Sequence, residues 1–276
     1  MTPQSAHTTR SVSLTTEQLS LGYGSSLIVD QVTTSLPAGR ITAIVGPNGC
    51  GKSTLLRGLA RLLSPQHGRV LLDGTELTEM PARTLARTLG LLPQQPLAPD
   101  GITVADLVGR GRHPHQRWFR QWSAEDDRAV AAALAATGVD QLAECPIDEL
   151  SGGQRQRVWI ALALAQDPEI MLLDEPTTFL DLAHQIEVLD LLASLNHRLG
   201  RTIVLVLHDL NMASRYAHHL VAMRAGTLVT AGQPSDVITP EMVREVFGVE
   251  ATVITDPVAG TPLVLPHRSG DIEAAR

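Results

Sequence analysis

The sequence predicts an α/β fold, a parallel sheet whose strands alternate with helices, interrupted by a helical subdomain. Three observations predict it. Short runs that are almost wholly apolar, ITAIV at 41–45, IMLL at 170–173 and IVLVL at 203–207, suit strands buried on both faces. Amphipathic runs at helical spacing separate those strands. Between about Thr103 and Ala165 the pattern is helical almost throughout.

The elements follow in chain order. SLIVDQVTTSLPAGRITAIVG alternates β-branched and apolar residues around the PAG turn, giving two strands. From Lys52 to Leu63, leucines at 55, 56, 59, 62 and 63 mark a helix that SPQHG ends. RVLLDG and GLLPQQP are short strands closed by turn chemistry. TVADLV has a helix-start spacing, and SAEDDRAVAAALAATG runs from an N-cap at Ser123 to a stop at Gly138. A helix follows SGGQ. Strands return with EIMLLD and TIVLVLH, separated by a helix that Gly200 closes. Strand, helix and strand in that order imply a right-handed parallel crossover.

Composition bounds the function classes. The 276 residues carry 43% apolar side chains and a net charge of −7, which argues against a surface that neutralises many nucleic-acid phosphates. Two cysteines, Cys50 and Cys145, are too few for a disulfide framework and point to a reducing setting. No apolar run exceeds eight residues, as at Ala129–Ala136, against the ~20 that span a bilayer. Residues 1–12 lack the apolar centre of a signal peptide and read as a disordered start; 267–276 read as a disordered tail. Any link to a membrane is expected to run through another protein.

The chemistry begins at GPNGCGKST, residues 46–54, which fits the phosphate-loop pattern G-x-x-x-x-G-K-[ST]. Its glycines let successive backbone N–H groups turn toward a phosphate, and the following helix adds its positive end. The expected nucleotide contacts are Gly46, Pro47, Asn48, Gly49, Cys50, Gly51, Lys52, Ser53 and Thr54. Lys52 is expected to reach the β and γ phosphates and Ser53 to bind Mg²⁺. IMLLDEP places two acids at the end of a buried strand: Asp174 as a Mg²⁺ ligand and Glu175 as the acceptor of a proton from an attacking water. Alone, an Asp-Glu pair at a strand end is equally a solvated terminus; the phosphate loop in the same chain favours the chemical reading. His208 ends another apolar strand at the same rim, where it could orient that water. Read alone, it suits a capping role. Gln94 follows a strand with an amide able to contact Mg²⁺ or water, and Tyr23 could stack on a base. LSGGQRQRV, from Leu150, presents a second anion-binding helix start through Ser151, Gly152, Gly153 and Gln154.

In order and wording, the phosphate loop, LLPQ, LSGGQ, LLDEP, FLD and LHD resemble the ATPases of ABC transporters across nearly the whole chain. LSGGQ discriminates most, since other phosphate-loop enzymes lack it. The resemblance implies an ABC ATPase core with a parallel sheet (about 13–95 and 166–266), an antiparallel β subdomain and an inserted α-helical subdomain (about 96–165). It further implies ATP and Mg²⁺ as ligands, Tyr23 as the adenine-stacking aromatic, Gln94 as the γ-phosphate sensor, Glu175 as the catalytic base, His208 as the switch histidine and Asp181 as a dimer contact. Lys52 joins Glu175 and His208 as a residue of the hydrolytic step.

One departure is Cys50, where the family often has serine or alanine; a thiol beside the nucleotide would be open to alkylation. GRGRHPHQ, TTFLDLAHQIEVLDLLASLN, HDLNMASRYAHHL and DPVAGTPLVLP resemble more narrowly the ATPase subunits of ferric-siderophore importers, especially the catecholate type. Hydroxamate-siderophore, haem and cobalamin importers share much of this wording. The implied partners are a second ATPase subunit, polytopic permease subunits and, indirectly, a substrate-binding protein, at the cytoplasmic face of the membrane. A soluble ABC ATPase acting on nucleic acid or translation is the reading from another class; the chain has one cassette and no coiled-coil or zinc insertion. The stretch RHPHQRWFRQW reads as a basic face toward the permease or as a solvated loop, and His113 and His115 lack the further ligands an iron site needs.

Overall fold

The computed structural model describes residues 13–116 and 122–268. It opens with two long antiparallel strands, β1 (Leu14–Tyr23) and β2 (Ser26–Leu36), followed by β3 (Ile41–Val45) and the helix α1 (Lys52–Leu59). Next come β4 (His67–Leu72), β5 (Thr75–Glu76), α2 (Ala82–Thr88) and β6 (Leu89–Leu92). Helices α3 (Val104–Gly109), α4 (Ala124–Thr137) and α5 (Gly152–Ala165) form the inserted layer. The chain then returns through β7 (Ile170–Leu173), α6 (Leu182–Leu199), β8 (Thr202–Val206), α7 (Leu210–Tyr216), β9 (His219–Arg224) and β10 (Thr227–Gly232). It closes with α8 (Pro234–Val237), α9 (Pro240–Phe247) and the hairpin β11 (Ala251–Thr255) and β12 (Pro262–Pro266).

The central sheet has the order β10-β9-β3-β8-β7-β6, and all its neighbours are parallel except β10 against β9. A separate antiparallel sheet, β2-β1-β4-β5, lies on one side. The parallel strands divide two cores by the period of two. Met171 and Leu173 of β7 and Ile203 and Leu205 of β8 face the core shared with α3–α6. Ile170, Leu172, Val204 and Val206 face the core shared with α1 and the antiparallel sheet. Burial on both faces is why these strands read as unbroken apolar runs.

Three features depart from the sequence reading, and β1 falls where that reading assigns no strand. β1 shows no simple alternation because a bulge at Gln18, in the left-handed region at φ 45°, shifts the inward set from Leu14 and Thr16 to Leu19 and Leu21. β2 and β3, read as two strands about one turn, belong to different sheets. α1 stops at Leu59, not Leu63, because Arg61 turns to φ 55° and donates to the carbonyls of Leu77 and Met80, each at 2.6 Å. His267, expected in a disordered tail, is tied down: its N–H donates to Glu250 O at 2.9 Å, extending the β11–β12 ladder. The expected disordered start, 1–12, and residues 269–276 lie outside the described residues.

The helix boundaries of the insertion follow capping chemistry. Ser123 and Asp126 form a capping box at α4, which Gly138 ends at φ 68°. Arg112 anchors the insertion from below: it pairs with Asp126 at 2.9 Å and donates to Ala165 O at 2.8 Å, with both side chains almost wholly buried.

Candidate nucleotide site

Strand β3 delivers the chain to the phosphate loop at the carboxyl edge of the central sheet. Gly46 leaves the strand at φ 151°, and a Cβ there would lie 2.2 Å from Met223 O, so only glycine fits against β9. Gly49 and Gly51 follow at φ 74° and 102°. Lys52, at the start of α1, is buried, and its ammonium donates to Gly46 O at 2.9 Å and Pro47 O at 3.0 Å. Its next neighbour, Ser53, donates from Oγ to Asp174 Oδ1 at 2.8 Å. The loop and the end of β7 are therefore already joined.

Asp174 is 4% exposed, and burial pushes its carboxyl above the ordinary aspartate range, with the Ser53 hydrogen bond opposing. Glu175 follows in the left-handed region at φ 52°, a costly conformation for a side chain that the surroundings impose. Its carboxylate faces His208 Nε2 at 2.7 Å and accepts from Thr178 Oγ1 at 3.0 Å and from Gln94 Nε2. Burial opposes ionisation of Glu175, but the His208 and Thr178 hydrogen bonds and the charges of His208 and Lys52 outweigh it. The carboxyl is held below its ordinary value. Adjacent acids thus sit in opposite environments.

Tyr23, the last residue of β1, accepts a hydrogen bond on its hydroxyl from Arg57 Nη1 at 2.9 Å. These groups enclose a cavity of about 510 Å³ lined by Tyr23, Ile28, Asn48, Gly49, Gly51, Lys52, Ser53, Thr54, Gln94, Glu175, Thr178 and His208. Its size suits a small-molecule ligand. The structure brings the sequence-derived candidates together, with Gly46, Pro47 and Asp174 tied to the lining through Lys52 and Ser53, and leaves two exceptions. Cys50 turns away: it is 4% exposed and packs in the α1 core, and burial raises its thiol pKa. The thiol is thus neither beside the cavity nor activated, contrary to the expectation of an alkylation-sensitive group.

The second exception is the pair of segments Ser151–Gln154 and Asp181, absent from the cavity lining. They meet each other instead. Ser151 caps α5 in a reciprocal box with Gln154. Asp181 caps α6 and accepts from His184 N at 2.9 Å, with His184 Nδ1 at 2.7 Å. A Cβ on Gly153 would lie 2.3 Å from His184 Cδ2, so the two helix starts are in direct contact. Phe179 and Leu182 project beside them, 88% and 63% exposed.

Sequence reasoning missed Thr178, Arg57 and Ile28. Arg57 stands one helical turn after Ser53, a spacing that puts it over the loop, but only the fold shows that β1 ends there. For a cation, the Ser53 hydroxyl, the Asp174 carboxylate and the Gln94 amide oxygen are hard oxygen donors beside a phosphate loop. That set fits Mg²⁺ held jointly with substrate phosphates better than a caged metal. Among the described residues no group of three or more His, Cys, Asp or Glu is placed to hold a metal. His115 bonds the Gln166 carbonyl at 2.8 Å, and residues 117–121 of the basic and aromatic loop lie outside the described residues.

The ABC transporter family model matches residues 29–178, more than half of the chain. The chain belongs to the ABC transporter ATPase family. A Bacillus subtilis (strain 168) protein named as a probable siderophore transport system ATP-binding protein, YusV, is 54% identical to this ATPase over 93% of this chain and 94% of its own. The ferric enterobactin transport ATP-binding protein FepC of Escherichia coli (strain K12) is 53% identical over 91% and 92%. Among solved structures, a transporter described as metal-chelate type, in an inward-facing conformation, superposes with a TM-score of 0.81 at 29% identity, covering 94% of this chain and 98% of that one. The dimeric cassette MJ0796 superposes at 0.70 and 28% identity, covering 80% and 98%. Among the described residues of this ATPase no helix is long and apolar enough to cross a membrane.

Proposed function

We propose that this ATPase powers uptake of ferric siderophore, of the catecholate type, as one of two ATPase subunits docked on polytopic permease subunits at the cytoplasmic face of the membrane. The observation that carries the hydrolytic part is the Glu175 network, a carboxylate held ionised at the mouth of a phosphate-loop cavity. The cargo assignment rests on the names of relatives more than 50% identical over more than 90% of this chain.

The residues divide the work as follows. Tyr23 stacks on the adenine, steadied by Arg57. The phosphate-loop N–H groups and Lys52 hold the β and γ phosphates; Lys52 exchanges its Gly46 and Pro47 carbonyl contacts for phosphate oxygens. Ser53, Asp174 and Gln94 would hold Mg²⁺, which supplies charge neutralisation on the phosphates. Glu175 takes a proton from water as the water oxygen attacks the γ phosphorus and ADP leaves, while His208 orients the water. Ser151–Gln154 and Asp181, remote from their own cavity, complete the cavity of the second subunit, a role that the dimeric state of MJ0796 supports. Closure of the dimer on ATP moves the permease, and loss of the γ-phosphate releases it.

The test is uptake of labelled ferric catecholate, ferric hydroxamate, haem and cobalamin in cells lacking this chain. The expected result is loss of the ferric catecholate alone, restored by the wild type and not by Lys52→Ala. Restoration by Lys52→Ala refutes the ATP-driven reading, and loss of a different cargo refutes the substrate.

A further inference from the structure

A second cavity, of about 720 Å³, opens at the other end of β3 from the phosphate loop, where the start of β3, the end of α7, the start of β9 and the turn before β12 converge. Its charge runs against the molecule. The chain carries a net −7, yet this lining contains Arg40, Arg215, His218 and His219 and no carboxylate. Arg40 is held through its backbone, whose carbonyl accepts from Ile203 N at 3.0 Å, but among the described residues neither the Arg40 nor the Arg215 guanidinium makes a hydrogen bond or ion pair. Of the neighbouring acids, Asp256 feels the charge of Arg215 without bonding to it, its carboxylate accepting from Val258 N at 2.8 Å and Ala259 N at 3.3 Å, and Asp190 accepts from the Tyr216 hydroxyl at 2.8 Å.

His218 adds a fixed donor. The Ile41 N–H donates to its Nδ1 at 3.0 Å, so Nδ1 must keep its lone pair and the ring proton sits on Nε2. The reciprocal bond from His218 N to Ile41 O, at 2.8 Å, locks the residue to β3. Burial and the charge of Arg40 hold this imidazole in its neutral form, in keeping with that tautomer. Two planar guanidinium forks and one oriented N–H therefore border a cavity whose remaining wall, with Tyr216 and Pro262, is partly apolar.

We propose that this cavity binds a small organic anion carrying two acidic groups, phosphate or carboxylate, with Arg40 and Arg215 each pairing one group and His218 Nε2 donating to the ligand. Bidentate arginine contacts are the strong form of such recognition. A ligand there would clamp the β11–β12 hairpin to β3, the strand that leads into the phosphate loop, and so act on turnover from a site separate from the nucleotide.

Calorimetric titration of the full chain with citrate and with fructose 1,6-bisphosphate tests the proposal and separates the two acid chemistries; orthophosphate serves as the single-group control. Saturable binding of at least one bivalent probe is expected, stronger than orthophosphate and weakened about tenfold by Arg40→Gln and by Arg215→Gln, the scale of losing one charged hydrogen-bond pair. Lys52→Ala is expected to leave it unchanged. No saturation by either bivalent probe refutes the site. So does binding that Lys52→Ala abolishes, which would place the probe in the nucleotide cavity, or binding indifferent to both arginine variants. Unchanged thermal unfolding of the two Gln variants guards against a folding defect.

Discussion

Replacing Glu175 by Gln changes one atom and one charge, and the structure shows what each is worth. Oε2 accepts from Thr178 Oγ1 at 3.0 Å and from Gln94, while Oε1 faces His208 Nε2 at 2.7 Å. An amide keeps its oxygen toward Thr178 and Gln94. Its NH₂ then faces His208, whose ring accepts by carrying its proton on Nδ1. The contacts persist in weaker, uncharged form, so the fold should lose no more than about 1–2 kcal/mol and ATP binding should survive. What cannot persist is proton acceptance, worth ~10²–10⁴ in rate, or roughly 3–5 kcal/mol of barrier. Phosphate release under saturating ATP, with nucleotide binding measured in parallel, reads both. Turnover within about tenfold of wild type would move the base elsewhere, and loss of ATP binding would make Glu175 a structural strut. The pH profile adds a sign. Because the carboxyl is held below its ordinary value of 4.5, its contribution to stability is present above that value and is lost as pH falls through the depressed one. Wild-type turnover should accordingly show no acid limb from Glu175 between pH 5 and 8.

Three further outcomes follow. Asp174→Asn should raise the melting temperature of the nucleotide-free chain while impairing hydrolysis, since burial holds the aspartate above its usual 3.8 and its charge costs stability as pH rises through that shifted value; scanning fluorimetry checks it. Ser151→Arg removes the cap of α5, costing about 1 kcal/mol and a melting shift of about 2–4 °C, and should spare nucleotide binding by the isolated chain while abolishing uptake. Cys50 should react with iodoacetamide at least about tenfold more slowly in the native chain than in the urea-unfolded one, because its thiol is buried and its pKa raised; mass spectrometry of the labelled peptide measures this.

The parts legible in the sequence were those where one period dominates. Strands β3, β7 and β8 are apolar on both faces, and α4 carries its own start and stop in Ser123 and Gly138. β1 was not legible because the bulge at Gln18 changes its parity halfway. Nor were β9 to β12, whose short, mixed runs take meaning only from the strands beside them. At the site, the motifs picked out Lys52, Ser53, Asp174 and Glu175, which the fold brings to one edge of the central sheet. They could not show that Cys50 points into the core, since a glycine-rich loop turns each side chain by backbone angles that no spacing encodes. Thr178 and Arg57 were invisible for different reasons: Thr178 reaches the Glu175 carboxylate through the local turn that the left-handed Glu175 backbone makes, which spacing does not encode, and Arg57 acts across elements, on the end of β1.

The contact between Gly153 and His184 ties the remaining half of the site to a measurable property. Gly153→Ala would put a methyl 2.3 Å from His184 Cδ2, closer than any pair of carbons tolerates. Something must move, and the ring is the softer partner: His184 is partly exposed, whereas the backbone of α5 is fixed by the capping box. Rotating the ring breaks the 2.7 Å contact of His184 Nδ1 with Asp181 but leaves the backbone N–H of His184 on the same carboxylate at 2.9 Å. Asp181, now held below the aspartate range by both bonds with the backbone one foremost, should therefore rise part of the way toward 3.8 without losing its role as helix cap. Carboxyl titration by NMR would detect the shift, and nucleotide binding in the chain's own cavity should stay unchanged. ATP-driven dimerisation is the property expected to weaken under the proposed function, which assigns these two helix starts to the partner's γ-phosphate, because they no longer hold one arrangement. An unmoved Asp181 titration would mean that α5 yields instead of the ring, and that the two helix starts are not coupled through His184.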